Sequence, residues 1–253
     1  MILSLNICKL SSDSIENVEQ KLFDYLEKNI KSKNDIVFLH EFPYENSNLE
    51  NKLSEKYVIF KPYGINKPLF ITVALVKKTV DSFIQFENIQ LQNFILSQKN
   101  RILFILKPIG KQQYNLIIGA HAPTYNSKKF SSVYNFWESF IDLMKKINAF
   151  KCLNGYGYDK QIKDILIVGD LNVFYPGTEQ KRLFYKLLSV GFLDLWIESN
   201  KNNEEFTHLQ SRIDYGLVSD DAFKKYSIEI DHTTKFENNG FTDHSAIKIY
   251  KKR

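Results

Sequence analysis

Six places along the sequence carry polar side chains at one or the other end of a predicted apolar strand. A rigid scaffold can direct side chains at such positions into one shared cleft. The residues are Asn6, Glu41, His121, Asp170 with Asn172, Asp214, and Asp243 with His244. Carboxylates, amides and imidazoles together supply metal ligands, a base for a water molecule and donors for an anionic group. We therefore expect one cleft that acts on a negatively charged substrate.

The segment Gly169-Asp170-Leu171-Asn172 follows the apolar run 165–168. Asp170 and Asn172 are two positions apart, so in extended backbone their side chains project to the same side. One offers a proton acceptor and the other an amide donor. The same spacing also fits an Asx-turn, in which the carboxylate accepts a backbone hydrogen bond.

Two further motifs lie in the last part of the chain. They are Arg212-Ile213-Asp214, which contains an aspartate, and Asp243-His244, which contains an aspartate and a histidine. If Asp214 contacts the His244 ring, it fixes the tautomer and raises the imidazole pKa. The histidine is then cationic and available to an anionic substrate, with Asp243 beside it free to reach a cation. The alternative interpretation of an isolated Asp-His pair is a structural turn.

Glu41 and Asn6 are the candidates for binding a metal ion. Carboxylate and amide oxygens with water molecules suit a hard ion such as Mg²⁺. Zn²⁺ would favour more nitrogen or sulfur ligands than this pattern offers.

The elements that must position these residues alternate between short apolar runs and helical patterns. This mixture indicates layered sheets with helices outside. Strands are predicted at 2–7, 35–41, 56–62, 69–76, 102–107, 114–120, 165–168, 213–218 and 245–250, and helices at 15–26, 133–147 and 179–190. Asp13 with Glu16 resembles a capping box at the first helix.

Composition fits an ordinary globular protein. The chain has 253 residues, 43% hydrophobic and 25% charged, which argues against disorder. The net charge is +5, and only four of the 34 basic residues are arginine. Because lysine is a hydrated point charge, this surface suits attraction to phosphate better than bidentate reading of bases.

Two cysteines, Cys8 and Cys152, are too few for a metal cluster, and their apolar surroundings indicate buried free thiols. No apolar run approaches the roughly 18 residues of a membrane span. The first residues are typical of a strand and lack the features of a signal peptide. These observations predict a cytoplasmic protein.

Taken in order, the motifs resemble those of the endonuclease/exonuclease/phosphatase superfamily, whose fold is deoxyribonuclease I-like. The resemblance runs from the first strand to the end of the chain. It rests on Asn6, Leu39-His40-Glu41, His121-Ala122-Pro123, Gly169-Asp170-Leu171-Asn172, Arg212-Ile213-Asp214-Tyr215 and Asp243-His244. It implies a single domain over 1–253, an α/β fold that is a four-layer α/β sandwich with two packed mixed β-sheets flanked by helices.

The resemblance also implies roles for the site residues. Glu41 and Asn6 would hold Mg²⁺, with Mn²⁺ able to substitute, and Asp243 would contribute directly or through water. Apart from the resemblance, Arg212 and Thr124 are candidates for substrate binding, and Arg212 could instead be a neighbour of Asp214.

Hydrolysis is assigned, by the same resemblance, to five residues that surround the phosphate. Asp170 would orient and deprotonate the attacking water. Asn172, His121 and His244 would contact phosphoryl oxygens, and Asp214 would pair with His244. Phosphoryl transfer needs in-line positioning and charge neutralisation more than covalent chemistry, which fits this set.

The sequence departs from the superfamily pattern at three positions. His40 stands where glutamine is common, and Cys8 stands where a second asparagine is often found. His121 resembles the deoxyribonuclease I and sphingomyelinase relatives, since many abasic-site endonucleases have tyrosine there. We find no glutamate that could pair with His121 in the loop 63–69.

The leading functional hypothesis is a Mg²⁺-dependent endonuclease that acts on DNA as a monomer with low sequence specificity. Asn172 and Asp214 are only 42 positions apart, a segment in which abasic-site endonucleases usually carry longer insertions. Thr207-His208 and the ending at Asp243 are also typical of nuclease branches. Candidate contacts to backbone phosphates are Lys61, Lys67, Lys77, Lys78, Lys128 and Lys129.

Two alternatives remain open. A sphingomyelinase-like phosphatase or phosphodiesterase on lipid or small phosphate esters would keep the same catalytic groups, and Phe42, Phe174 and Tyr175 are candidate lipid contacts. The other alternative is a non-catalytic nucleic-acid-binding module. In such a protein we would expect at least one of Asp170, His244 and Glu41 to be replaced by another residue.

Overall fold

The computed structural model describes residues 1–8, 15–65, 67–78, 83–86, 96–124, 130–150, 152–153, 160–174, 178–200 and 205–252. Its strands are β1 (Ile2–Asn6), β2 (Ile36–Pro43), β3 (Tyr57–Phe60), β4 (Phe70–Lys77), β5 (Ile84–Gln85), β6 (Ile102–Gly110), β7 (Gln113–Ala120), β8 (Cys152–Leu153), β9 (Lys160–Asp170), β10 (Phe192–Asp194), β11 (Asp214–Ser219), β12 (Tyr226–Asp231) and β13 (Ala246–Lys251). Its α-helices are α1 (Ile15–Asn29), α2 (Ser47–Lys56), α3 (Phe130–Phe150), α4 (Glu179–Ser189) and α5 (Leu195–Asn200).

The strands form two mixed sheets. The first sheet has six strands in the order β12-β13-β1-β2-β4-β3, with β1 and β2 parallel. The second has seven, in the order β10-β11-β9-β7-β6-β5 with β8 beside β9, and β7 and β9 are parallel. The other pairings in both sheets are antiparallel.

The two sheets pack face to face through a shared apolar core. Phe38 of the first sheet lies in one buried cluster with Ile117 and Val168 of the second. Gly119 permits this approach, because a Cβ atom there would lie 2.1 Å from Cδ1 of Phe38.

Helices cover the outer faces of both sheets. Leu22 of α1 and Leu53 of α2 pack with Leu5 and Leu39 of the first sheet. Trp137 and other apolar residues of α3 pack with the second sheet, together with residues of α4. The predicted four-layer α/β sandwich, with two mixed sheets flanked by helices, is confirmed.

All nine predicted strands and all three predicted helices are present, with ends displaced by a few residues. The sequence analysis did not identify α2, α5, β5, β8, β10 and β12. The proposed capping box at Asp13 and Glu16 lies outside the described residues and side chains, and so does the side chain of Cys152. Cys8 is half-buried, less enclosed than predicted. Among the described helices, none is long and apolar enough to cross a membrane.

Candidate active site

The polar residues at the strand ends converge at one edge of the sandwich. In the first sheet, Asn6 ends β1 beside the parallel strand β2, which carries Glu41. In the second sheet, Asp170 ends β9 beside the parallel strand β7, which His121 follows. Because parallel strands end at the same edge of a sheet, each sheet brings its own two residues together, and a hydrogen bond between Asn6 and Asp170 joins the two pairs.

Asp170 lies at the junction between the two sheets. Its Oδ2 accepts a hydrogen bond from Nδ2 of Asn6 at 2.9 Å, and its Oδ1 accepts one from the backbone N–H of Asn172 at 2.9 Å. The side chain is buried, and it stands opposite Asp214 in the β9–β11 ladder. Burial and the Asp214 charge raise the pKa of Asp170 to about 7.

Asp214 and His244 form the buried pair that the sequence predicted. Oδ2 of Asp214 lies 2.9 Å from Nδ1 of His244, which donates to it. The backbone N–H groups of Ile213 and Asp214 donate to Oγ1 of Thr207, which holds the start of β11 in place. Burial alone would lower the pKa of His244, but Asp214 outweighs this effect and raises it to about 10. The imidazole is therefore a cation at neutral pH.

Asp243 lies beside this pair and contacts a second histidine, His208. Oδ2 of Asp243 lies 3.2 Å from Nε2 of His208, and Oδ1 lies 3.8 Å from Nε2 of His244. The rings of His208 and His244 have centroids 4.6 Å apart. Burial would raise the pKa of Asp243, but the hydrogen bond from His208 and the two imidazoles hold it well below its usual range.

The position of Glu41 depends on a local irregularity in β2. The register between β2 and β4 shifts between Leu39 and Phe42, and Glu41 has a φ of +54°. A bulge of this kind turns a side chain that would otherwise alternate with its neighbours. Oε1 of Glu41 lies 3.6 Å from Nε2 of His121, and Oδ2 of Asp170 lies 3.8 Å from the same nitrogen.

Asn6 and Asn172 connect neighbouring segments of the site. Oδ1 of Asn6 accepts from the backbone N–H of Cys8 at 2.8 Å, while its Nδ2 donates to Asp170. The amide oxygen keeps a second lone pair for an ion. Asn172 has a φ of +52°, and its Nδ2 donates to the carbonyl of Ala122 at 2.8 Å, which fixes the His121 segment against the end of β9.

Comparisons with known proteins agree with this architecture. The chain matches no protein-family model and no curated protein sequence. Among solved structures, the 3′ phosphatase NExo from Neisseria, bound to a product DNA hairpin, superposes with a TM-score of 0.71 at 13% identity, covering 100% of this chain and 99% of that one. The AP endonuclease LMAP from Leishmania major gives 0.71 at 12% identity, covering 100% and 87%.

A third neighbour is TDP2 from D. rerio in complex with a single-strand DNA product. Its TM-score is 0.63 at 16% identity, covering 97% of this chain and 96% of that one. The chain has the deoxyribonuclease I-like fold. At these identities the likeness shows the fold alone, and the fold that the sequence resemblance implied is confirmed.

Among the described His, Cys, Asp and Glu residues of this deoxyribonuclease I-like fold, two groups of side chains are compact enough to share an ion. The ligand atoms of Asp170, Asp214 and His244 lie within 4.8 Å of one another, as do those of His208, Asp243 and His244. The predicted set of Asn6, Glu41 and Asp243 is neither of these groups. The carboxylates of Glu41 and Asp170, which both approach Nε2 of His121, nevertheless make this edge of the fold rich in oxygen, which fits a hard cation.

The prediction that Arg212 contacts substrate is not supported by its place in the structure. Its guanidinium is buried and donates to both carboxylate oxygens of Asp194, at 3.1 and 2.7 Å. It also lies over the ring of Tyr215, 4.5 Å from the centroid. Arg212 therefore joins β10 to the start of β11. Thr124 is exposed at the end of the His121 segment, next to residues outside the described part of the chain.

His40, the departure beside Glu41, is buried between the sheets. Its Nε2 lies 2.9 Å from Oγ of Ser4, and its Nδ1 lies 3.2 Å from Oγ1 of Thr72. Burial lowers the pKa of His40 to about 3. The imidazole is therefore a neutral core group whose polar atoms are satisfied by hydroxyls.

The predicted lysine contacts to phosphate and aromatic contacts to lipid differ in where the structure places them. Lys67 and Lys78 are exposed, Lys77 is half-buried, and Lys61 pairs with Glu50. Phe42 is buried in the core of the first sheet, so its proposed role in lipid contact is wrong. Other predicted contacts, Lys128, Lys129 and Tyr175, lie outside the described residues.

Sequence reasoning missed Arg101, and it noted His208 only as part of a nuclease-like motif, without a place in the site. His208 adjoins Thr207 in the turn before Arg212, and its pairing with Asp243 depends on how that turn folds. Arg101 immediately precedes β6, which pairs with the strand that His121 follows. Its place in the β6–β7 hairpin is the signal that could have identified it.

Proposed function

We propose that the chain is a metal-dependent phosphodiesterase, specifically a Mg²⁺-dependent endonuclease that hydrolyses DNA with low sequence specificity. The observation that carries the proposal is the buried Asp214–His244 pair, which places an imidazolium within 4.8 Å of the Asp170 carboxylate. A cation and a carboxylate so close together can bind a phosphoryl oxygen and activate the water that attacks phosphorus.

In this proposal Asp170 is the group that orients the water and accepts its proton. The hydrogen bonds from Asn6 and from the Asn172 backbone fix both carboxylate oxygens. The pKa raised toward neutrality by burial matches a base that must take and release a proton near pH 7.

His244 supplies a fixed positive charge to the phosphoryl group. Asp214 holds the ring through Nδ1, and Nε2, which lies 3.8 Å from Oδ1 of Asp243, can donate to an oxygen of the substrate or the leaving group. Asn172 and His121 complete the set of donors around the same phosphate.

Glu41 and Asp243 would hold the divalent cation, with the Asn6 amide oxygen available as a further ligand. When bound, such an ion neutralises phosphate charge and lowers the pKa of water. His208 would keep the Asp243 carboxylate oriented through its 3.2 Å contact.

DNA is the substrate class that the comparisons favour. NExo is described with a product DNA hairpin and D. rerio TDP2 with a single-strand DNA product. The exposed Lys67 and Lys78 could contact backbone phosphates, which would give strong dependence on salt and little preference for sequence. We further propose that 1–253 is one domain and acts as a monomer.

A second candidate is hydrolysis of phosphate esters at a lipid surface. Two exposed leucines favour it, Leu69 at 84% and Leu209 at 73% of full exposure. Leu69 adjoins Phe70, whose ring lies 5.3 Å from that of His121, and Leu209 adjoins His208. Exposed apolar side chains next to residues that contact the site could enter a lipid surface.

The experiment that separates these functions is a substrate panel with purified protein. Supercoiled plasmid, single-stranded DNA, RNA and sphingomyelin vesicles are each incubated with Mg²⁺, and parallel samples contain EDTA. Nicking of the plasmid that EDTA abolishes is expected. Hydrolysis of sphingomyelin alone would favour the second candidate.

A further inference from the structure

Arg101 lies against His121 because of the β6–β7 hairpin. Ile102 pairs with Ala120 in the antiparallel register, so the next residues outward on the two strands are neighbours. The backbone N–H of His121 donates to the carbonyl of Arg101 at 2.8 Å, which extends the ladder by one step.

The guanidinium of Arg101 is held over this end of the hairpin. Its Nη1 lies 3.3 Å from Nδ1 of His121 and 3.4 Å from the carbonyl oxygen of the same residue. The guanidinium carbon lies 5.0 Å from the centroid of the Phe70 ring, which also packs against the imidazole. Arg101 is thus fixed by cation–π contact as well as by hydrogen bonds.

The chemistry of the two partners determines where the proton of the imidazole lies. A guanidinium has five N–H donors and no acceptor, so a hydrogen bond between it and Nδ1 requires that Nδ1 accept. The hydrogen of the ring is then on Nε2. Nε2 is the atom that lies 3.6 Å from Oε1 of Glu41 and 3.8 Å from Oδ2 of Asp170.

We propose that Arg101 is a positioning residue that holds His121 in the Nε2–H tautomer, so that His121 donates a hydrogen bond to the substrate at the Glu41–Asp170 edge of the site. The inference rests on the proposed phosphodiesterase function. It assigns His121 a role as a fixed donor to a phosphoryl oxygen.

His244 and His121 therefore have partners of opposite charge. Nδ1 of His244 faces the Asp214 carboxylate, and Nδ1 of His121 faces the Arg101 guanidinium. His244 provides a cation, whereas His121 provides a single N–H whose direction is fixed. The loop 63–69 contains no glutamate that could pair with His121. Arg101 contacts Nδ1 of His121 instead.

The test uses Arg101→Met, which removes the donors, and Arg101→Lys, which keeps a cationic donor. Arg182→Met is the matched control, since Arg182 is an exposed arginine of α4 that pairs with Glu179. Long-range ¹H–¹⁵N spectra of the full chain report which ring nitrogen of His121 carries hydrogen. The His121 signals are assigned by their loss in His121→Gln. Plasmid cleavage with Mg²⁺ gives kcat and KM for each variant.

In the unsubstituted protein we expect the Nε2–H pattern for His121. Arg101→Met should lose this pattern and lower kcat by about 10- to 100-fold with little change in KM. Arg101→Lys should restore both in large part, and the control should match the unsubstituted protein. If Arg101→Met fails to fold by circular dichroism, Arg101→Leu, which also lacks a donor, is compared with Arg101→Lys in the same way.

Two results would overturn the inference. One is an Nδ1–H pattern in the unsubstituted protein, and the other is a folded Arg101→Met variant with unchanged His121 signals and unchanged kcat. Failure of the proposed function has a different signature: no phosphodiester is cleaved by any variant, while the spectra still show that Arg101 determines the tautomer.

Discussion

Asp214 and His244 come from different sheets, and their side chains meet across the junction with Nδ1 and Oδ2 2.9 Å apart. Asp214 begins β11 of the second sheet, and His244 lies just before β13 of the first. The pair therefore forms only when the two sheets are packed together. It couples the integrity of the sandwich to the charge of the imidazole.

Replacement of Asp214 by asparagine tests this coupling. Asp214→Asn keeps the shape of the side chain but removes the charge that raises the pKa of His244 to about 10. The imidazolium should then lose its proton at lower pH. We expect the alkaline limb of the kcat profile to move toward neutral pH and kcat at pH 8 to fall by about 10²-fold or more.

Asp164→Asn provides the control for this prediction. Asp164 is a buried aspartate of β9 whose carboxylate bonds Lys225 and Tyr226, away from the site. It should leave the pH profile unchanged. An identical alkaline limb in Asp214→Asn and the unsubstituted protein would show that the pair does not govern catalysis.

Glu41→Gln is predicted to weaken the response to metal. The substitution removes a negative charge from the oxygen-rich edge while retaining an oxygen ligand. The Mg²⁺ concentration for half-maximal activity should rise by about 10- to 100-fold. A titration of activity against Mg²⁺ measures this, and an unchanged midpoint would remove Glu41 from the metal site.

The lowered pKa of His40 predicts how the free energy of unfolding depends on pH. Its pKa is about 3 in the folded chain and 6.5 when unperturbed, so the unfolded chain binds an additional proton between these values. The contribution of neutral His40 to the free energy of unfolding is complete above pH 6.5 and decreases as the pH falls below that value. Relative to His40→Gln, the protein should lose about 1.4 kcal/mol of unfolding free energy per pH unit below 6.5.

Urea unfolding of both proteins between pH 7.5 and about pH 4 measures the difference, since each midpoint and slope gives a free energy of unfolding. Taking the difference removes the contributions that the two proteins share. A difference that stays constant across this range would show that His40 is not the acid-sensitive group.

Gly169 is predicted to tolerate no side chain. It has a φ of +146°, and a Cβ atom there would lie 1.9 Å from the carbonyl oxygen of Ala120. Gly169→Ala should lower the free energy of unfolding by more than about 2 kcal/mol. Gly64→Ala is the control, because Gly64 also has a positive φ but room for a Cβ atom, and it should cost about 1 kcal/mol. Equal losses would contradict the steric argument.

The sequence predicted the fold best where an apolar strand carries a polar residue at its first or last position. Asn6, Asp170 and Asp214 all stand at strand ends, and their meeting follows from the parallel pairs and the antiparallel neighbour β11. Helix α2 was not recognised because Leu49 and Leu53 are its only buried residues, too few for a helical pattern.

Side-chain partners could not be predicted where they depend on packing between distant segments. Arg212 precedes Asp214 in the motif, but its guanidinium forms an ion pair with Asp194 on β10. Because β10 has only three residues, it shows no clear hydrophobic pattern in the sequence. His208 and Arg101 join the site only through a turn and a hairpin register. Their roles become visible in the folded chain.

The most direct test of the central claim compares Asp170→Asn with Asp164→Asn, two substitutions of buried aspartates on the same strand. Initial rates of plasmid nicking are measured for both and for the unsubstituted protein, with Mg²⁺ and with EDTA. We predict Mg²⁺-dependent nicking that Asp170→Asn reduces by at least about 10²-fold and Asp164→Asn leaves nearly unchanged. Nicking by Asp170→Asn at the unsubstituted rate, or no hydrolysis of any phosphodiester by the unsubstituted protein, would contradict the account.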